Sequence, residues 1–284
     1  MTALVAGTTP ALPSRVQDYL EAIVDACAAR TCGLVSVILF GSAATGGFSG
    51  TVSDVDLVLV LHDEASREDR RRLRDDVARL EALHGFRTGH LHARGRLETF
   101  VEHLTANVRS FFICTRGDLL SGSVARILDL RPAQAVFVDR VVIPSIVGSA
   151  VTVWGEELVP HIPLSPIRRF DVLKAFHGLF AQVLLSVAVF PVLPNATKYA
   201  MGTLKRSVHN CFFCYHGRPA ALEEEVGFFQ RRIGPSRTLA QLLDLRRDYT
   251  QSFAFVVWCL PTLTWLHLRT ALDNRFPREV LTRR

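Results

Sequence analysis

The chain of 284 residues lacks the features that mark repeat, low-complexity and membrane-spanning proteins, so an ordinary globular protein is expected. It has no evident repeat or low-complexity tract, and no apolar run as long as the ~20 residues that a spanning helix needs. Its two most apolar late stretches are interrupted by polar residues or proline: LFAQVLLSVAVFPVL and FAFVVWCLPTLTWLHL. Such stretches are typical of core helices, so we expect no membrane partner.

Cysteine, lysine and a leader segment are also scarce or missing. Six cysteines in a chain of this length are typical of reduced thiols, not of a disulfide framework. The first fifteen residues have neither a basic segment nor a long apolar core, so no secretory signal is indicated and we expect a cytoplasmic protein. Only Lys174, Lys198 and Lys205 supply lysine among the 33 basic residues.

What is present is enough apolar material for a sizeable core, with a modest basic excess. Hydrophobic residues make up 49% of the chain and charged residues 21%. A formal net charge of +6 favours anionic partners such as nucleotides or RNA, although most of the charges should simply solvate the surface.

The pattern of apolar residues changes near residue 160. Before it, short apolar runs alternate with one charged amphipathic segment, which predicts an α/β half over residues 1–160. The predicted elements are strands at LVSVILF, DVDLVLVL, FRTGHLHA, FFIC and SAVTVWG, a helix at SREDRRRLRDDVARLEALHG and a possible helix at SGSVARIL. After it, long helical patterns predict an all-helical domain over residues 161–284. Its helices are expected between Pro166 and Pro191, over 196–216, over 220–232, and from Thr238 to a bend or end at Pro261.

One segment, GSAATGGFSGTVSDVDLVLV, combines a glycine-rich loop with two aspartates set into an apolar strand. Asp54 and Asp56 are two residues apart, so their side chains should share one face of the strand. Two ionised carboxylates on one face repel each other, and a divalent cation relieves that repulsion. Gly41 and the glycines after it let backbone N–H groups approach phosphate oxygens, and Ser42 can donate its hydroxyl. A strand pair whose aspartates only cap an exposed strand end is the alternative.

Gly41-Ser42, an eleven-residue gap (43–53) and Asp54-Val55-Asp56 resemble the signature of the DNA polymerase β-like nucleotidyltransferases. The sequence is most similar to the minimal and aminoglycoside nucleotidyltransferase branches. The resemblance implies a small mixed sheet flanked by helices, with a helical domain closing the cleft. It also implies that Asp54 and Asp56 hold Mg²⁺, with a two-metal site expected, and that Gly41 and Ser42 bind the β- and γ-phosphates of an NTP.

Related enzymes usually carry a third carboxylate on a following strand, and the predicted strand FRTGHLHA has none. His90 and His92 share one face of that strand, so either is a candidate general base. Glu98 is the preferred acid among the nearest ones downstream, with Glu102 and Asp118 as the others; a solvent-facing carboxylate is the simpler interpretation of Glu98.

The resemblance also implies a lysine that reaches the NTP phosphates from the helical domain. Lys198 and Lys205 lie seven residues apart and so share a helix face, with Arg206 nearby. A basic surface helix is the equally weighted alternative. Four residues of HNCFFCYH, His209, Cys211, Cys214 and His216, superficially resemble a zinc cluster, but buried structural thiols are the better interpretation.

Two functions from different classes remain open at this point. The first is an Mg²⁺-dependent enzyme that transfers NMP, most often AMP, from an NTP to an acceptor hydroxyl with release of pyrophosphate. The acceptor could be tRNA, an antibiotic or a protein, and the basic charge tilts weakly toward RNA. The second is a nucleotide-binding regulatory or antitoxin-like partner without turnover, which the absent third acid favours. Neither the acceptor nor the oligomeric state follows from the sequence.

Overall fold

The computed structural model describes residues 12–29, 33–45, 55–86, 110–130 and 141–273. These residues form two compact units. The sheet unit contains the described residues up to 130 together with 149–164, and the helical unit contains 141–148 and 165–273.

The sheet unit is built on four strands in the order β3-β2-β1-β4. They are β1 (Leu34–Phe40), β2 (Asp56–Leu61), β3 (Phe111–Thr115) and β4 (Val151–Gly155). Strand β1 is antiparallel to both β2 and β4, whereas β3 is parallel to β2, so the sheet is mixed. The predicted small mixed sheet is confirmed, and so is the strand predicted from FFIC.

The strand predicted at FRTGHLHA falls outside the described residues except for Phe86, which lies in a bend. Among the described residues, β2 lies between β1 and β3.

Two of the longer helices, one before β1 and one after β2, pack against one face of this sheet. The helical segments up to residue 149 are α1 (Ser14–Ala29), α2 (Gly41–Ala44), α3 (Arg67–Leu83), α4 (Arg116–Leu120), α5 (Val124–Ile127) and α6 (Val142–Ser149). Alternate residues of β2, among them Leu57 and Leu59, are buried in one core with Tyr19 of α1 and Leu73 of α3. The other alternate set, which begins with Asp56, therefore points to the opposite face.

The helical unit consists of α6 up to Gly148 and five longer helices. They are α7 (Arg169–Val189), α8 (Ala196–His216), α9 (Leu222–Ile233), α10 (Arg237–Arg247) and α11 (Phe253–Leu272). Their core includes the fully buried rings of Phe212, Phe229 and Phe255. The all-helical character of the C-terminal part is confirmed.

The single helix predicted from Thr238 to Pro261 is wrong, because the segment forms α10 and α11. Ser252 begins α11 by accepting a hydrogen bond from the Phe255 N–H at 3.2 Å, and α11 continues past Pro261 to Leu272. Pro261 is exposed, so the hydrogen bond that it cannot donate is missing on the solvent side of the helix.

Among the described residues, α7 is the one helix that is long and apolar enough to cross a membrane, judged by length and composition alone. One third of its most apolar stretch, 33%, is buried, and α7 packs against both α8 and α11.

Candidate active site

The candidate site lies at the edge of the sheet where β1 ends and β2 begins. Because the two strands are antiparallel, Phe40 at the end of β1 is paired with Asp56 at the start of β2. The Gly41-Ser42 turn follows Phe40 directly and thus lies beside the Asp56 carboxylate. Sequence spacing predicted this proximity, and the register explains it.

Gly41 is held in a conformation that only glycine adopts easily. Its φ is +70°, and a Cβ at this position would overlap Oδ2 of Asp56. Its N–H donates to the Ser149 hydroxyl at 3.2 Å, which ties the turn to the last residue of α6. The backbone of Gly41 and the Asp56 carboxylate consequently form one compact polar cradle.

Ser42 lies in α2, a single helical turn that begins at Gly41. The Thr45 N–H donates to the Gly41 carbonyl at 3.2 Å and the Thr45 hydroxyl donates to it at 3.1 Å, which closes the turn. Ser42 is partly exposed. The first N–H groups of such a turn have no acceptor within it, which suits them to phosphate oxygens.

The face of the sheet next to Asp56 carries two aromatic rings. Val58 is paired with Phe112, so Phe112 shares the face of Asp56 on the neighbouring strand β3. Phe112 and Phe40 approach each other to 6.2 Å between ring centroids at an interplanar angle of 18°. The residue of β3 that is paired with Val58 on the Asp56 face is therefore aromatic and not acidic.

Comparison with known families agrees with this geometry. Residues 20–116 match the model of the nucleotidyltransferase domain family, a range that includes Gly41, Ser42 and Asp56. This part of the chain matches a nucleotidyltransferase domain, and the resemblance inferred from the motif is thereby confirmed over these residues.

A solved structure extends the likeness of fold to the helical unit. It is the spectinomycin adenyltransferase AAD(9) from Enterococcus faecialis, crystallised with ATP and spectinomycin. The TM-score is 0.51 at 9% sequence identity, over 90% of this chain and 98% of that chain. Comparison with curated protein sequences gave no match.

Several predicted residues of the nucleotidyltransferase site lie outside the described residues, namely Asp54, His90 and Glu98. Their roles stay predictions. In the helical unit, Lys198 is exposed in the first turn of α8 and Lys205 is partly exposed two turns later. Both face the less buried side of α8, as their spacing predicted.

Asp118, the third acid considered, belongs to the opposite edge of the sheet. It follows the end of β3, where it accepts from the Thr115 N–H at 3.4 Å and pairs with Arg70 at 3.4 Å. Burial, together with the charge of Asp118, raises the pKa of the nearby Cys114 thiol to about 12. Asp118 therefore caps a helix and does not face the Asp56 edge.

Sequence reasoning missed Glu81, a carboxylate of α3 that is almost fully buried. It accepts a hydrogen bond from the Ser110 hydroxyl, and the Ser110 carbonyl accepts from the Leu57 N–H at 2.8 Å. Glu81 thus supports the start of β3 beside the residue that follows Asp56. On the sequence it is one acid in a charged helix, and only its position among the buried residues of α3 could have singled it out.

The HNCFFCYH segment packs in α8, as predicted. Cys211 and Cys214 are buried in the helical core. The partly exposed His209 pairs with the buried Glu225 carboxylate of α9. Burial lowers the pKa of His216, which stacks on Phe212 at 4.2 Å. No group of three or more potential metal ligands occurs among the described residues.

Proposed function

We propose that this nucleotidyltransferase transfers AMP from ATP to a hydroxyl group of a small-molecule acceptor. The observation that supports the reaction is the cradle at the Asp56 edge. A turn begins at Gly41, whose backbone fits against the Asp56 carboxylate because it has no Cβ. This arrangement suits a phosphate chain bound by the turn with a carboxylate next to it.

The residues at this edge fit a divalent cation. A carboxylate oxygen is the ligand that Mg²⁺ prefers, and the missing Cβ of Gly41 leaves room beside Oδ2 of Asp56. Asp56, with Asp54, would hold Mg²⁺, which when bound neutralises charge on the phosphates of the nucleotide.

The chain's own residues then bind and orient the reactants. Gly41 and Ser42 bind the β- and γ-phosphates: Ser42 donates its N–H and its hydroxyl, and Gly41, whose own N–H donates to Ser149, lets the phosphates approach the turn closely. The acceptor oxygen attacks the α-phosphorus, the bond from that phosphorus to the bridging oxygen breaks, and pyrophosphate leaves with the electron pair. The proton of the acceptor hydroxyl passes to a base, for which His90 and Glu98 are the candidates from the sequence. Lys198 and Lys205 are candidates for binding the phosphates.

The choice of a small-molecule acceptor depends on the likeness of fold to the spectinomycin adenyltransferase, which extends over both units of this chain. A cyclic polyol or aminocyclitol hydroxyl is the acceptor class to test first. The net charge of +6 is the observation that keeps tRNA as a second acceptor class.

The test incubates the full chain and Mg²⁺ with ATP labelled at the α-phosphate. Separate reactions contain spectinomycin, a panel of aminocyclitols, or total tRNA. We expect label to appear on one acceptor with equal release of pyrophosphate, and Asp56→Ala to reduce this transfer at least 1,000-fold, about 4 kcal/mol in the barrier. The matched control is Asp75→Ala, which removes an exposed carboxylate from α3 and should leave transfer unchanged.

A nucleotide-binding partner without turnover is the second candidate, favoured by the lack of an acid in the predicted strand FRTGHLHA and by the apolar Phe112 on the Asp56 face of β3. This candidate predicts that ATP binds by calorimetry, that Asp56→Ala weakens the binding, and that no acceptor receives label. Transfer that survives in Asp56→Ala would contradict both candidates.

A further inference from the structure

Two helices of the helical unit, α7 and α11, lie antiparallel along their whole lengths. Near one end, Nδ1 of His267 in α11 donates to the Val172 carbonyl of α7 at 3.0 Å. At the other end, the rings of Phe190 and Phe253 are 5.0 Å apart. Both helices also pack against α8, so one side of the pair is covered.

Among the described residues, the side of this pair away from α8 is mostly apolar, although the exposed His177 of α7 also lies on it. Six large side chains on it are between 40% and 72% exposed: Phe170, Leu173 and Leu184 of α7, and Trp258, Trp265 and Leu272 of α11. We call these six the apolar face. The α11 residues are seven apart and the α7 residues are three and eleven apart, so each set forms a stripe on its helix.

The two stripes turn toward the same side. On each helix the stripe lies roughly 110–140° around the axis from the residues that contact the other helix, in the same rotational sense. In an antiparallel pair, rotations in the same sense place both stripes on one side, which is the side away from α8. The apolar face is therefore continuous across the two helices.

The size of the apolar face matches what a dimer needs. With about 200 Å² for a fully exposed aromatic side chain and about 150 Å² for leucine, the six residues expose roughly 600 Å² of apolar surface. The largest apolar patch on a typical monomer is about 300–600 Å². A standard interface buries about 800 Å² on each partner, and about 65% of a homodimer interface is apolar. About 500 Å² of apolar surface per copy is what such an interface requires.

We propose that the apolar face binds the same face of a second copy of this chain. A twofold axis perpendicular to α7 and α11 would pack the two helix pairs into a four-helix interface, with Trp258 and Trp265 near its centre. In such an isologous contact, the apolar face of one copy binds the same face of the other copy, so no separate complementary surface is needed.

The distribution of charge favours a second copy over a lipid surface. The exposed Arg168, Arg169 and Arg269 lie at the end where α7 begins and α11 ends. Between that end and the other, the exposed side of α11 from 253 to 268 contains no basic residue, and α7 carries the partly exposed Lys174 and the exposed His177, both in its first half. A helix pair that binds an anionic bilayer is expected to carry basic residues along its length. In the twofold arrangement, the basic ends of the two copies are far apart.

Light scattering with size exclusion at micromolar concentration tests the proposal on the full chain. We expect a mass near twice 31.6 kDa. Leu184→Glu and Trp265→Glu each place a charge in the face and should return the mass to that of one chain. The matched control is Leu83→Glu, which makes the same change at an exposed leucine of α3 outside the face and should leave the dimer intact.

Tryptophan fluorescence gives a second measurement, because two of the three tryptophans of the chain lie in the apolar face. Trp154→Phe leaves only those two. On dilution of this variant, we expect the emission to shift to longer wavelength as the dimer dissociates. With Leu184→Glu added, the emission should already be shifted at the highest concentration.

Three results would overturn the proposal. The first is the mass of one chain at every concentration. The second is a dimer that survives both glutamate substitutions. The third is a single chain that binds vesicles of phosphatidylcholine and phosphatidylglycerol and loses this binding in Leu184→Glu but not in Leu83→Glu, which would assign the face to a membrane surface.

Discussion

The sheet unit and the helical unit place their polar groups in opposite ways. In the sheet unit, Asp56 and the Gly41 turn lie at the edge where strands end, accessible to a ligand. In the helical unit, His267 is fully buried in the core while tryptophans are exposed on the surface. Backbone register fixes the positions of Gly41 and Asp56, so substitutions there should change activity. The helices mainly pack against one another, so substitutions in them should change stability.

The largest expected effect is on the stability of the helical unit. Phe255 of α11 is fully buried, so Phe255→Ala should lower the free energy of unfolding by about 3–5 kcal/mol. Urea unfolding followed by circular dichroism measures this. Phe253→Ala, two residues earlier and 51% exposed, is the control and should cost less than about 1.5 kcal/mol. Equal losses for the two variants would contradict the burial pattern of α11.

The second effect depends on pH. Burial lowers the pKa of His267 to about 4, although its hydrogen bond to the Val172 carbonyl acts in the opposite direction. Unfolded chains bind a proton at histidine below a pKa of about 6.5 while the folded chain does not. Stability should therefore fall as pH decreases from about 6.5 to about 4, by about 3 kcal/mol in total.

His267→Phe removes the titrating group and serves as the comparison. Its stability at pH 7 should be lower, because the Val172 carbonyl loses its donor, but its decline between pH 6.5 and 4 should be smaller than that of the unchanged chain. Urea unfolding at several pH values measures both slopes. Parallel slopes would show that His267 does not titrate on unfolding.

Much of the fold followed from the sequence because its signals are local. The apolar run of β1 predicted Leu34–Phe40, and the helical period predicted α8 over 196–216 to the residue. The two-residue spacing of the aspartates and the glycine turn predicted one edge of the site. These features depend on neighbours within a few residues, which a sequence displays directly.

The remainder depends on contacts between distant residues. No local signal says that β3 lies parallel to β2, so the sequence could not place Phe112 next to the Asp56 face. The burial of Glu81 beside Ser110 requires the same knowledge. The break between α10 and α11 lies at Ser252, which caps α11, and not at Pro261, which α11 passes through. Serine is common in loops and helices alike, so its capping role becomes visible only with the backbone.

The third effect is on transfer at the sheet edge. Gly41→Ala would force a Cβ into the Asp56 carboxylate at a φ of +70°. A displacement of this kind should lower transfer about 100-fold, about 2.7 kcal/mol, with the chain still folded. The control is Gly178→Ala in α7, where a Cβ would meet nothing within 4 Å; it should raise stability by up to about 1 kcal/mol and leave transfer unchanged. Full activity of Gly41→Ala would refute the cradle.

The smallest effect compares one helix cap from each unit. Ser66 caps α3 in a capping box with Asp69, whereas Ser236 caps α10 by accepting from the Leu239 N–H at 3.3 Å without an acidic partner. Each serine-to-alanine change should lower the free energy of unfolding by about 1 kcal/mol at pH 7, as measured from urea midpoints.

The two caps should differ in their dependence on pH. Hydrogen bonds from Ser66 lower the pKa of Asp69, so the ionised carboxylate stabilises the cap, and this contribution is lost as pH falls through the acid range. The cost of Ser66→Ala should therefore shrink in acid while that of Ser236→Ala stays constant. The same dependence in both variants would contradict the reciprocal capping box, because only Ser66 has a titrating partner.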